Sequence, residues 1–297
     1  MNDYRKYLNP KVVAKLKNIE LIAKLVVEGF ITGLHRSPFH GFSVEFAEHR
    51  QYRPGDEIKY LDWKVLARSE KYFVKQFEEE TNTRIMIVLD SSASMNFASG
   101  DNISKYDYGA YLAASLALLM IQQRDSAGLA LFDTEIRKFL SPNSRPSYIR
   151  EILKALELTK PENKTGTATC LNLIAERIKK RSLVVVISDF FDEPDLVMKS
   201  LQHFRHDQNE VIVFQVLDER EIDFKFGTSA NFTDMETKEQ MITHPYQIQK
   251  AYHTAMQDFL LKIKQQCHFQ NIDYNLITTN TPFDKALVAY LNKRKKV

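Results

Sequence analysis

Three short stretches of this sequence gather oxygen-bearing side chains at spacings that suit a hard cation. The first is Asp90-Ser91-Ser92-Ala93-Ser94, an aspartate followed by hydroxyls at two-residue intervals, directly after the apolar run 85–89. In an extended turn alternate side chains point the same way, so Asp90, Ser92 and Ser94 can converge on one point. The second is Ser188-Asp189 after the apolar run 183–187, with Asp192 and Asp195 close behind. The third is Lys164-Thr165-Gly166-Thr167-Ala168-Thr169, a hydroxyl-rich turn that leads into a predicted helix. Carboxylates and hydroxyls are hard ligands of the kind Mg2+ and Mn2+ take. The competing reading is plainer: Ser, Thr and Asp after a strand are also the usual helix caps, and Thr167 or Thr169 could serve as one.

These loops need a scaffold, and the hydrophobic pattern predicts one. Apolar runs of strand length stand at 85–89, 129–132, 136–140, 183–187, 211–217 and 274–277. Helical segments are predicted near 106–123, 147–158, 169–180 and 196–204. A long helix marked by Ile248, Tyr252, Ala255, Phe259 and Ile263 follows, and Thr281-Pro282 opens a last one. The tight Asp133-Thr134 connection predicts a hairpin. Buried strands alternating with amphipathic helices mean an α/β fold, a mainly parallel sheet with helices on both faces. Ligands of such sheets sit outside the carboxyl ends of the strands, the edge to which the three loops belong.

Residues 1–82 read differently. Asn9-Pro10 is a helix start, and Val12, Leu16, Ile19, Ala23 and Val26 continue one amphipathic helix to near Gly29. From Gly33 to about Glu80, Pro38, Gly41, Pro54 and Gly55 punctuate short aromatic and charged segments, with strands predicted at 42–46 and 72–77. The expected organisation is an N-terminal helix plus a small β-rich module over 1–82, then the α/β domain over 83–297.

Composition narrows the function classes. With 297 residues, 44% hydrophobic and 27% charged, the chain is of ordinary globular make-up, not disordered or collagen-like. A net charge of +3 lacks the field of a dedicated duplex binder, so no nucleic-acid partner is expected. Lys293-Arg294-Lys295-Lys296 reads as a solvated helix end. Cys170 and Cys267 stand far apart, which indicates neither a disulfide framework nor a cysteine zinc site and fits the cytoplasm. The N-terminus has no signal-like apolar stretch, and residues 109–121 are too few to span a bilayer, so no membrane insertion is expected.

Asp90-x-Ser92-x-Ser94, the Thr167 turn and Asp189 resemble the metal-ion-dependent adhesion site of von Willebrand factor A-type domains. The resemblance implies a Rossmann-like A-type fold in which the two serines and the threonine bind Mg2+ or Mn2+, with the two aspartates held partly through water. A second glycine is common in that family's threonine loop where this chain has Thr165, so Thr165, Thr167 and Thr169 all stay open as the ligand. The N-terminal module adds Gly33-x-His35-x-Ser37-x-x-x-Gly41, Glu45-Phe46, Arg50-x-Tyr52-x-Pro54-Gly55-Asp56, Leu61-Asp62-Trp63 and Ala67-Arg68. This run resembles the signature of a bacterial family catalogued as domain of unknown function 58. The resemblance implies a non-enzymatic adaptor that works with a MoxR-type AAA+ ATPase and a client protein offering an acidic residue to the metal.

Enzyme signatures are sparse. There is no G-x-x-x-x-G-K-[ST] and no G-x-S-x-G. The competitor is a Mg-dependent phosphatase resembling the haloacid dehalogenases, with Asp90 as nucleophile; there Ser92 stands where a second, general-acid aspartate is usual. His203 and His206 lack a clear third ligand and read as surface or capping groups. His35, His40 and His49 read as structural, Trp63 as a core anchor, and Arg50, Arg53, Asp56, Asp62, Lys64 and Arg68 as a polar lattice.

Overall fold

The computed structural model describes residues 8–16, 18–35, 49–51, 72–75, 83–227, 230–235 and 239–294. The predicted strand at 42–46, His40, Trp63 and the charged residues Arg53, Asp56, Asp62, Lys64 and Arg68 lie outside these, as do Lys295 and Lys296. Two compact units are present, Met1–Gly33 with Thr83–Val297, and Leu34–Asn82. In the smaller unit, β1 (His49–Gln51) pairs antiparallel with β2 (Phe73–Lys75).

The larger unit takes in the leading helices α1 (Pro10–Val13) and α2 (Ile19–His35). Asn9 caps α1 by accepting from the Lys11 amide at 3.0 Å, and Val13, Ile22, Val26 and Phe30 are buried. The sheet of this unit is built from β3 (Arg84–Asp90), β4 (Ser126–Phe132), β5 (Ile136–Asn143), β6 (Leu183–Ser188), β7 (Glu210–Leu217) and β10 (Asp273–Thr278). Its order is β10-β7-β6-β3-β4-β5, with β5 antiparallel to β4 and every other pairing parallel. Counted among these six strands, the chain runs outward to one edge and then returns to build the other, the doubly wound pattern, and its direction reverses between β3 and β6. Leu89 lies opposite Ile187, so Asp90 and Ser188 leave neighbouring strands side by side.

Both faces of β3 are covered because both are apolar. Met86 and Val88 join a core with Cys170 and Ile174 from α5 (Thr167–Arg177), Leu201 from α6 (Pro194–His206) and Ile263 from α8 (Pro245–Phe269). Leu89 meets the other layer, where α3 (Lys105–Gln122) lies so close that a Cβ on Gly109 would come 2.7 Å from the Leu89 Cδ1. Ser104 caps α3 by accepting from the Asp107 amide at 3.0 Å. α9 (Phe283–Arg294) adds Phe283, stacked on Tyr108 with centroids 4.7 Å apart, while α4 (Ile149–Leu158) supplies Leu156, whose carbonyl accepts from the Tyr106 hydroxyl at 2.9 Å.

The structure departs from the sequence pattern in three places. The single helix expected from Asn9-Pro10 to near Gly29 is two, α1 ending at Val13 and α2 running to His35, and Val12 and Leu16 are exposed. α5 starts at Thr167, two residues before the expected start, which changes the role open to that side chain. The stretch after β7, unassigned by periodicity, holds α7 (Glu219–Asp223) and a hairpin of β8 (Ala230–Thr233) and β9 (Gln240–Thr243). Elements this short complete too few periods to show in a pattern; α7 stands on a capping box between Asp218 and Glu221 instead. Among the described residues no helix is long and apolar enough to cross a membrane.

Gly128 marks a tight backbone approach in the sheet. A Cβ there would lie 2.7 Å from the Leu140 carbonyl oxygen and 2.8 Å from the Pro142 nitrogen, where the β4–β5 register shifts. Backbone atoms cannot swing aside, so Gly128→Ala is expected to cost about 2 kcal/mol. Urea unfolding checks this as a lower midpoint at an unchanged slope.

Candidate functional site

Asp90 closes β3 and is fully buried. Its Oδ1 accepts from the Ser92 amide at 2.9 Å, and its Oδ2 accepts from the Ser188 hydroxyl at 2.7 Å. The chain then turns through a short 3-10 segment, Ala93–Asn96, and the Ser92 and Ser94 hydroxyls stand 3.1 Å from each other. Ser92 is buried and Ser94 half-buried, so the pair leads from the interior toward solvent.

Asp189 follows β6 and is also buried. Its Oδ1 accepts from the Phe191 amide at 3.1 Å and its Oδ2 from the Lys105 ammonium at 2.7 Å. The Gln215 side-chain amide donates to the Asp189 carbonyl at 2.8 Å, and Gln215 in turn accepts from the Tyr274 hydroxyl at 2.6 Å. Lys105 opens α3 and reaches Glu221 of α7 at 2.6 Å as well.

The threonine loop is tied to the loop after β3 and to the β4–β5 turn. The Ala93 amide donates to the Asn163 carbonyl at 2.9 Å, and the Glu162 amide to the Ser91 carbonyl at 3.1 Å. Asp133, at the β4–β5 turn, accepts from Asn163 at 2.9 Å and Arg137 at 2.7 Å, while its carbonyl takes the Gly166 amide at 3.0 Å. A Cβ on Gly166 would sit 3.2 Å from the Thr134 Cα, so glycine suits this close approach. Gly166 itself is the N-cap position of α5, with no side-chain cap, so neither Thr167 nor Thr169 serves as one. Thr169 is exposed and Thr165 half-buried. Thr167 is buried, and its hydroxyl has no hydrogen-bond partner among the described residues.

An orphaned buried hydroxyl is costly unless something meets it. A cation would, and hydroxyls and carboxylates are donors of the hard class that a divalent ion takes. Among the described residues no three His, Cys, Asp or Glu side chains gather as a metal site, so any such centre here depends on hydroxyls. Asp192 and Asp195 do not join it: Asp192 accepts from the Glu193 amide at 2.7 Å, and Asp195 binds Lys262 and Gln266 of α8. His203 lies 3.4 Å from Asn172 and His206 is exposed beside Asp207.

Sequence reasoning missed Ser188 as a partner of Asp90, and it missed Lys105, Glu221, Gln215 and Asp133. One signal was available for Lys105, a lysine at the head of a largely apolar helix. Burial works against its ammonium, but Asp189 and Glu221 more than offset this and raise its pKa above the ordinary lysine value. Burial, reinforced by the neighbouring Asp189 carboxylate, pushes Asp90 up to about 7.

Fold and site together define a Rossmann-like α/β protein of the arrangement expected for an A-type domain, with oxygen-bearing side chains at the switch point of its sheet. The chain belongs to the family described as "Protein of unknown function DUF58", whose profile matches residues 48–259. An uncharacterised protein of Mycobacterium tuberculosis is 26% identical over 219 residues, 72% of this chain and 68% of the relative. The conserved hypothetical protein BatB from Bacteroides thetaiotaomicron is 15% identical over 72% of this chain and 100% of its own, at a TM-score of 0.48. The VWA domain of SpRpn10 is 12% identical over 69% and 93%, at 0.39. Scores this low decide nothing about function.

The raised pKa of Asp90 has a pH signature in metal-free protein. Its contribution to stability is complete below the unfolded value near 3.8, falls as pH climbs, and is gone above about 7. Asp90→Asn, which carries no charge, lacks that slope. In chelator, the urea midpoint of Asp90→Asn relative to wild type should therefore rise from pH 5 to 7 and then level off.

Proposed function

We propose that this protein is a non-enzymatic, cytoplasmic adaptor that binds protein partners through a divalent ion, Mg2+ or Mn2+. Asp90, Ser92, Ser94, Thr167 and Asp189 hold the ion. The observation that carries this reading is the Thr167 hydroxyl, buried and without a partner among the described residues, at the start of α5 just after a loop bonded to the one that bears Asp90 and the serine pair. Two carboxylates and three neutral hydroxyls would leave little surplus negative charge around the ion, so a carboxylate from another protein would still be drawn to it.

What the chain's own residues do follows from their contacts. Ser188 and the Ser92 amide keep Asp90 turned to the loop, and Phe191 and Lys105 hold Asp189. The Asp90 side chain is fully buried, which suits a holding role better than attack on a phosphate. The family resemblance supports a MoxR-type AAA+ ATPase as the partner that supplies ATP hydrolysis, in maturing or regulating a client complex.

Mn2+ titration of the full chain tests the site: Thr167→Val should weaken binding by roughly tenfold or more, with the fold retained. Capture of the ATPase or client should be strong with Mg2+, and lost in chelator or with Asp90→Ala. Equal capture under all conditions rules out metal gating.

A further inference from the structure

The proposed centre contains a positive charge of its own. Lys105 is 0% exposed, its ammonium lies 2.7 Å from Asp189 and 2.6 Å from Glu221, and it stands 4.8 Å from the centre of the Phe191 ring. Among the residues whose burial is described, no other lysine is fully buried. We propose that Lys105 is a built-in competitor of the divalent ion for Asp189, and so sets the affinity of the centre, with Glu221 as the seat that keeps the ammonium when the ion arrives. This inference rests on the metal reading given above.

The geometry sets an ammonium and the ion against one another on a single carboxylate. Asp189 has two oxygens, and one is engaged by the Phe191 amide while the other is engaged by Lys105. A divalent ion that uses Asp189, directly or through water, shares that carboxylate with an ammonium. Two cations on one buried carboxylate repel strongly, because little water lies between them to screen the charge. Glu221 relieves the conflict. Its Oε1 already accepts from Lys105, and its Oε2 accepts from the Asp218 amide at 2.8 Å, so the capping box of α7 holds this second seat in place. Asp218 is itself tied to the loop before α3 by Ser99 and Asn102.

A merely structural triad makes a different forecast. If Lys105 and Glu221 only brace α7, removing either loosens the site and weakens the ion. Competition instead gives opposite signs. Lys105→Met removes the rival, and Mn2+ should bind roughly tenfold more tightly or better; Glu221→Gln leaves the ammonium on Asp189 alone, and binding should weaken by roughly threefold or more.

The measurement is Mn2+ titration of the full chain, wild type against each variant, with thermal unfolding in chelator to verify folding. Lys105→Met leaves two buried carboxylates unpaired, so the double variant Lys105→Gln with Glu221→Gln repeats the comparison with neutral amides. It should bind Mn2+ more tightly than Glu221→Gln alone. Equal or weaker binding by both lysine variants, relative to their parents, overturns the inference while the metal reading stands. No Mn2+ binding by wild type or any variant overturns both.

Discussion

Two carboxylates, Asp90 and Asp189, are buried at the ends of adjacent parallel strands, and the cost of burying that charge, with their mutual repulsion added, is the constraint to which this edge of the sheet answers. Burial keeps bulk solvent from dispersing the charge, so protein groups must do so. Each of the four carboxylate oxygens meets a donor: the Ser92 amide, the Ser188 hydroxyl, the Phe191 amide and the Lys105 ammonium. These donors come from the loop after β3, the end of β6, the loop after β6 and the head of α3, so the charge problem of one spot organises several elements.

The same bonds join the site to its surroundings. Lys105 brings Glu221 in, Glu221 and Asp218 form the capping box of α7, and Asp218 also receives Ser99, Asn102 and Thr279. On the sheet side, Gln215 and Tyr274 carry a hydrogen-bonded line from the edge strand β10 to the Asp189 backbone. A buried polar network of this kind is stable only when nearly every member is satisfied. The Thr167 hydroxyl is therefore informative: it is fully buried, and among the described residues it lacks the partner that the carboxylates all have.

The sheet and its helices were largely legible. The run 183–187 is short, apolar throughout and rich in β-branched residues, the mark of a buried strand, and the long helix from 245 onward repeats its apolar residues at helical spacing. The oxygen-rich loops were legible too, because side-chain chemistry and chain order are read directly. What escaped was too short or too distant in sequence. α7 is five residues long, and Lys105 is 84 residues from Asp189 and 116 from Glu221. Burial of the three threonines also needed coordinates: Thr169 is exposed, Thr165 half-buried and Thr167 buried, and the hydroxyl oxygens of both Thr165 and Thr167 are buried.

The amino-acid order by itself determined the six strands of the main sheet, the longer helices beyond residue 83 and the kinds of ligand atom at the loop ends, since periodicity and chemical type are local properties. Only the tertiary structure decided which of those atoms are dry, which are already engaged, and that a lysine from α3 reaches one of the aspartates. Those facts depend on the strand order and on packing between residues far apart in the chain, and no local pattern encodes a distance in space.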